Sequence, residues 1–244
     1  MKTGVRWPRI LATAAMAAAV LAPSPFFLAG GAAAQAPRSA QDWSHHVTRT
    51  AAGAYVLGNP DAKVKLVEYF SLTCPHCAHF EQEALPALGA TYIKSGRVSL
   101  EMRHALRDPA DFAASLLARC AGPAGYFGAI DLIFARQEQW FEKVQAYQSA
   151  NLDKLKAMSP DAALDALARN GGLIALVESR GVTPARANAC LASKTEKDLL
   201  GKMAAEAWNA RKIEGTPTFL INGTAVPDTT TWAELKPKLD AALK

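Results

Sequence analysis

Two stretches of the chain alternate apolar and polar residues with the period of a β-strand, and a helix-like sequence lies between them. In the first, Val64–Phe70, one face carries three apolar residues together with Glu68. The second covers residues 97–104. Between them, residues 75 to about 95 have the pattern of a helix that Gly96 ends. The pattern predicts a strand–helix–strand unit with a carboxylate on a mostly apolar face.

A long helical block follows, from Asp108 to about Arg211. Three of its predicted helix starts pair a capping side chain with a proline at the first helical position: Asp108-Pro109, Ser159-Pro160 and Thr183-Pro184. After the block, residues 218–222 and 224–226 predict two strands joined by a turn at Asn222-Gly223. Thr231 and Glu234 then predict a capping box for a last helix. The order of elements predicts an α/β fold with a helical insertion.

The tetrapeptide Cys74-Pro75-His76-Cys77 lies directly after the first strand and opens the first helix. A cysteine at a helix N-terminus is stabilised as a thiolate by unpaired backbone N–H groups and by the positive end of the helix dipole. Pro75 suits the first turn because no N–H group is needed there, and His76 can add positive charge or a hydrogen bond beside the sulfur. Cys77 is within disulfide reach. The motif therefore indicates thiol–disulfide redox chemistry.

A Cys-x-x-Cys pair can also form half of a zinc site. Such a site needs two further ligands, usually a second close pair, whereas Cys120 and Cys190 are isolated and the histidines form no matching spacing. We therefore expect a redox pair with no metal and no cofactor. Four thiols still allow three disulfide pairings.

Residues 1–34 have the pattern of a secretory signal peptide. A basic start precedes an apolar stretch over residues 10–28, and Ala32-Ala33-Ala34 predicts cleavage near Ala34. The alternative is an uncleaved membrane anchor, which Pro23 and Pro25 disfavour. The pattern predicts export, and four cysteines after the cleavage point fit an oxidising compartment.

The basic charge of the chain belongs partly to this signal. Three of the 27 basic residues and none of the 22 acidic residues lie in residues 1–34, so removal of the segment lowers the net charge from +5 to +2. The chain also has no basic cluster with interleaved aromatic residues. We therefore expect no nucleic-acid partner.

The order of these motifs resembles the DsbA family of bacterial periplasmic disulfide oxidoreductases. Its characteristic segments are matched by Glu68-Tyr69-Phe70-Ser71, Cys74-Pro75-His76-Cys77, Phe80-Glu81 and Gly215-Thr216-Pro217-Thr218-Phe219. The resemblance extends from about residue 55 to the end and implies a thioredoxin-like fold with an inserted α-helical domain. It divides the chain after the signal into a lead-in (35–60), a first thioredoxin-like part (61–107), the helical insertion (108–211) and a second thioredoxin-like part (212–244).

The resemblance also implies roles for the residues around the motif. Cys74 becomes the exposed, reacting sulfur and Cys77 its buried partner. Glu68 is expected beneath the active-site helix, where it would relay a proton to or from Cys77. The alternative for Glu68 is an edge position in water, and for Glu81 both the same charge network and a solvated surface stay open.

Thr216 and Pro217 precede a predicted strand, where a proline is disfavoured in a central ladder. The family places a cis proline beside the reactive cysteine, so that the backbone of the preceding residue can pair with an extended substrate peptide. The resemblance therefore implies substrate binding at Thr216 and Pro217, with an ordinary trans turn as the alternative. A threonine before this proline is shared with disulfide isomerases and some oxidases.

Relatives in the family carry a second disulfide in the helical insertion. Together with export, this favours a structural bond between Cys120 and Cys190, and two buried free thiols are the alternative.

The function implied is that of a monomeric periplasmic oxidase, which introduces disulfides into exported proteins and is reoxidised by a quinone-linked, DsbB-like membrane partner. An isomerase or reductase of the same fold is one alternative. The other alternative is a non-catalytic chaperone or binding module, in which the cysteines form only stabilising disulfides.

Overall fold

The computed structural model describes residues 41–244. The predicted signal peptide, its cleavage near Ala34 and the first residues of the lead-in lie outside the described residues.

Six strands form one mixed sheet in the order β1-β2-β4-β3-β5-β6. Their bounds are β1 Val47–Arg49, β2 Tyr55–Gly58, β3 Val64–Phe70, β4 Val98–His104, β5 Thr218–Ile221 and β6 Thr224–Val226. Strands β3 and β4 are parallel, and all other neighbours are antiparallel. A parallel pair needs a crossover, which the helix after β3 supplies. The lead-in segment thus contributes β1 and β2 to the same sheet.

Ten α-helices accompany the sheet within the described residues. They are α1 Pro75–Ala87, α2 Pro109–Cys120, α3 Gly122–Ala135, α4 Gln137–Ala150, α5 Leu152–Ala157, α6 Pro160–Asn170, α7 Leu173–Glu178, α8 Pro184–Ala192, α9 Lys194–Ala205 and α10 Trp232–Ala242. Two π-helical turns, Leu88–Ile93 and Glu206–Ala210, extend α1 and α9. In residues 41–244, none of the helices is both long and apolar enough to cross a bilayer.

The predicted helix starts are confirmed. The side chains of Asp108, Ser159 and Thr183 each accept a hydrogen bond from the backbone N–H three residues on, and each is followed by proline. Thr231 and Glu234 form the complete capping box of α10.

Strand β3 is buried on both faces of the sheet. Leu66 and Phe70 belong to the main core, together with Phe80 of α1 and Phe219 of β5. On the opposite face, Val67 and Tyr69 pack in a smaller cluster. The predicted α/β fold, thioredoxin-like with inserted helices, is confirmed.

Candidate active site

Cys74 is the N-cap residue of α1, placed there by the short loop that follows β3. Its backbone is extended (φ −87°, ψ 118°), and Pro75 occupies the first turn of the helix. Both Cys74 and Cys77 are free thiols in this structure. The unpaired N–H groups at this helix end therefore face the sulfur of Cys74.

The expectation that Cys74 is exposed is wrong. Only 2% of its surface is accessible, and its Sγ donates a hydrogen bond to the carbonyl oxygen of Thr216 at 3.0 Å. The sulfur is covered because it points across to the loop before β5 instead of into bulk water. A cleft of about 390 Å³ still borders it, lined by Cys74, Pro75, His76, Arg107, Trp208, Glu214, Gly215 and Thr216.

The surroundings of Cys74 stabilise its thiolate and lower its pKa to about 5. The largest cause is a hydrogen bond from the Cys77 thiol, and burial acts in the opposite direction. The backbone N–H groups of Cys77 and His76 lower the pKa further. The Thr216 hydroxyl oxygen is buried with no geometric hydrogen-bond partner in the described chain. The His76 side chain is exposed.

The pKa of Cys77 is shifted in the opposite direction. It is fully buried, and burial raises its pKa well above the ordinary value. Its hydrogen bond to Cys74 and the nearby Glu68 carboxyl raise the pKa further. The pair therefore holds one stabilised thiolate and one stabilised thiol.

Glu68 and Glu81 form a buried carboxyl pair next to these cysteines. Glu68 is inaccessible and Glu81 is 2% exposed, so neither the edge position for Glu68 nor the solvated surface for Glu81 is found. Burial raises the pKa of Glu68 well above its usual range, and Glu81 raises it further. Burial also raises the pKa of Glu81 to about 7. The pair consequently retains a proton near neutral pH.

The Thr216–Pro217 peptide bond is cis, so the trans alternative is excluded. Thr218, which follows, already pairs with Tyr69 of β3. The cis bond therefore lies directly before β5, where the Thr216 carbonyl oxygen contacts the Cys74 sulfur.

The second cysteine pair is bonded. Cys120, at the end of α2, and Cys190, in α8, form a disulfide with an S–S distance of 2.04 Å across 70 residues of sequence. The alternative of two buried free thiols is not found.

Sequence reasoning missed Asp111 and Gln137, whose side chains contact the loop before Cys74. Asp111 accepts a hydrogen bond from the Leu72 N–H, and Gln137 donates to the carbonyl oxygens of Leu72 and Cys74. Neither residue belongs to a motif, and both are distant from Cys74 in sequence. No local signal identified them.

Groups of three or more His, Cys, Asp or Glu side chains suited to a metal ion do not occur in residues 41–244.

The arrangement of a redox dithiol, a cis proline and an inserted helical block can be compared with known proteins. A sequence model of the thioredoxin family matches residues 50–241. This chain belongs to the thioredoxin family. The crystal structure of a protein-disulfide isomerase from Novosphingobium aromaticivorans is similar to it, with 31% identity, a TM-score of 0.73, and coverage of 78% of this chain and 96% of that one.

The DsbA-like architecture of this thioredoxin family member is confirmed by a second structure, alpha-DsbA1 of Wolbachia pipientis. It matches with 21% identity and a TM-score of 0.62 over 78% of this chain and 90% of that one. A curated relative from Rickettsia bellii, named as a protein-disulfide oxidoreductase, is 31% identical over 69% of this chain and 56% of its own length. The chain thus spans little more than half of that relative.

Proposed function

We propose that this protein is a thiol:disulfide oxidoreductase that introduces disulfides into cysteine-containing exported proteins. The observation that carries the proposal is the asymmetry of the pair: the pKa of Cys74 is lowered to about 5, while that of buried Cys77 is raised. A structural pair of cysteines needs no such asymmetry. The names of the relatives support the same chemistry.

The reaction begins with the Cys74–Cys77 disulfide. A substrate thiolate attacks Cys74, a substrate–Cys74 bond forms, and the Cys74–Cys77 bond breaks with its electron pair on Cys77. Cys77 then takes a proton, for which we assign the buried Glu68 as the acid, because burial favours its protonated form and its carboxyl acts on the pKa of Cys77. A second substrate thiolate attacks the substrate sulfur, and Cys74 leaves as a thiolate. The substrate loses two electrons, and the cysteine pair gains them.

The low pKa of Cys74 makes the pair an oxidant. The thiolate exists only in the reduced form, so every interaction that stabilises it favours reduction of the protein and oxidation of the substrate. The cis Pro217 loop contributes the binding surface, because it leaves the Thr216 backbone beside Cys74 for an extended substrate peptide.

Titration of the reduced protein tests this directly. Ultraviolet absorbance should report one thiolate with a pKa of about 5, which is lost in Cys74→Ser. The same variant should fail to oxidise a reduced model protein. An ordinary thiol pKa at Cys74, or unchanged oxidation by Cys74→Ser, would refute the proposal.

Disulfide isomerisation is the second candidate function. Thr216 before the cis proline and the 31% identity to a protein named as an isomerase favour it. The two activities separate when the same protein is given a reduced substrate and, in parallel, a substrate with scrambled disulfides. An oxidase acts mainly on the first, whereas an isomerase restores the second with no added oxidant.

For the cellular setting, we propose a periplasmic monomer that is reoxidised by a quinone-linked, DsbB-like membrane partner. The signal-like sequence of residues 1–34 supports export, and a structural disulfide is typical of proteins in oxidising compartments. Cell fractionation tests the location. Recovery of the protein in the cytoplasmic fraction, with residues 1–34 still attached, would contradict it.

A further inference from the structure

We propose that Gln137, in the helical insertion, is a positioning residue for the Cys74 thiolate. The inference concerns the loop of residues 71–74, which we call the active-site loop. It rests on the proposed redox role of Cys74. We infer that a helix outside the strand–helix–strand unit that carries the cysteines holds the active-site loop in the geometry that stabilises the thiolate.

The peptide groups of Leu72 are held by side chains of the helical block. The Leu72 N–H donates to Oδ1 of Asp111 at 2.9 Å, and the Leu72 carbonyl oxygen accepts from Nε2 of Gln137 at 2.8 Å. Leu72 lies two residues after Phe70, the last residue of β3, so it is beyond the end of the sheet ladder. Beyond the sheet, side chains from α2 and α4 therefore supply the hydrogen-bond partners of the backbone.

Gln137 makes a second contact in the same loop. Its Nε2 also donates to the carbonyl oxygen of Cys74 at 2.9 Å. Both partners are carbonyl oxygens, which only accept, so the amide NH₂ group must face the loop. A single side chain therefore fixes two peptide planes of the active-site loop.

The Asp residues at the start of α2 hold the rest of the loop. Thr73 donates from its hydroxyl to Asp108 at 2.6 Å. The second oxygen of Asp111 accepts from the Arg107 N–H at 3.1 Å, which fixes the Asp111 carboxylate that holds Leu72. The active-site loop is accordingly fastened on one side by α2 and on the other by Gln137 at the first position of α4.

These contacts act on the sulfur through the helix end. The Cys74 carbonyl is the first acceptor of α1, where it receives the Ala78 N–H at 3.2 Å. The plane of this peptide group sets the direction of the following N–H groups, and those of His76 and Cys77 lower the pKa of Cys74. Without Gln137, two carbonyl oxygens lose a donor beside the sulfur and the loop loses an anchor. Both changes destabilise the thiolate.

The experiment compares Gln137→Leu and Gln137→Met with Gln139→Leu, an exposed glutamine on the same helix. The two Gln137 variants remove the donor at similar size and should raise the pKa of Cys74 by about one unit, a roughly tenfold loss of thiolate stabilisation. The equilibrium with glutathione should shift in the same direction, so that the variants are weaker oxidants. Gln137→Lys keeps a donor and should retain the low pKa, as should Gln139→Leu.

Two results separate the failure of this inference from that of the proposed function. An ordinary Cys74 pKa in the unmodified protein contradicts the redox function itself. A low pKa there, with the same value in Gln137→Leu and Gln137→Met, contradicts the positioning role alone. Circular dichroism establishes folding, and if the Leu variant is incompletely folded, the comparison of Gln137→Met with Gln139→Leu decides.

Discussion

At the scale of residues, Glu68 and Glu81 place two carboxyl groups in the buried core. Their oxygens have no geometric hydrogen-bond partner within the described part of the chain. A carboxylate placed there must lose its hydration without full compensation, so the protonated form is favoured. The cost is tolerated beside a thiol pair that must release and take up protons.

Glu81 gives a prediction about stability and pH. Its pKa is about 7 in the folded protein and near the ordinary 4.5 when unfolded. A raised pKa in the folded state stabilises the protein below the unfolded pKa, and this is lost as pH rises from about 4.5 to about 7. Glu81→Gln should remove that loss. The unfolding free energy of the variant minus that of the unmodified protein should therefore increase by about 3 kcal/mol from pH 4 to pH 8.

Urea unfolding at several pH values measures this difference. Glu83→Gln is the matched control, because Glu83 is an exposed acid on the same helix and pairs with exposed His79. Parallel stability curves for Glu81→Gln and the unmodified protein would show that Glu81 ionises normally in the folded state.

The residues of the site differ in how far the sequence predicts them. Cys74, Cys77 and Pro217 stand in contiguous motifs whose chemistry follows from residue type and local spacing. Asp111 and Gln137 contact Leu72 across 39 and 65 positions. Contacts from a side chain to a distant backbone leave no periodic pattern, so they require the folded structure.

At the scale of elements, helix starts were more predictable than the first two strands of the chain. A capping side chain followed by proline is a local arrangement, and it located the starts of α2, α6 and α8. Strands β1 and β2 have three and four residues, too few for a clear alternation. They form because β2 pairs with β4, more than 40 positions away.

The Cys120–Cys190 disulfide joins two of these helices, α2 and α8, and closes a long loop. Constraint of the unfolded chain by such a loop is worth about 4 kcal/mol in the chain-entropy model. The double variant Cys120→Ala, Cys190→Ala should lose up to that amount of unfolding free energy in urea. The pKa of Cys74 should stay low, because Cys120 and Asp111 lie at opposite ends of α2.

Free-thiol counting by mass spectrometry provides the check on the bond. In the Cys74→Ser, Cys77→Ser protein, the native fold should contain no free thiol. Two free thiols, or an unchanged unfolding free energy in the alanine variant, would contradict a stabilising bridge.

At the scale of the whole molecule, the Cys74–Cys77 disulfide can accept two electrons when it is reduced. Residues 41–244 contain no free cysteine besides this pair. Each oxidised protein should therefore convert one substrate dithiol to a disulfide and then stop. Repeated turnover should require an added oxidant. Quenched-flow measurement of substrate thiols tests this, and several turnovers by the isolated protein in the absence of oxidant would be inconsistent with the scheme.

The loop before β5 has a consequence for how the protein is made. Thr216 meets Cys74 across 142 positions of sequence, and β5 completes the sheet against β3, the strand that leads to the cysteines. During synthesis, Cys74 thus emerges long before the segment that completes its surroundings. The nascent chain carries a sulfur that lacks its Thr216 contacts, and full reactivity arrives only with the last thirty residues.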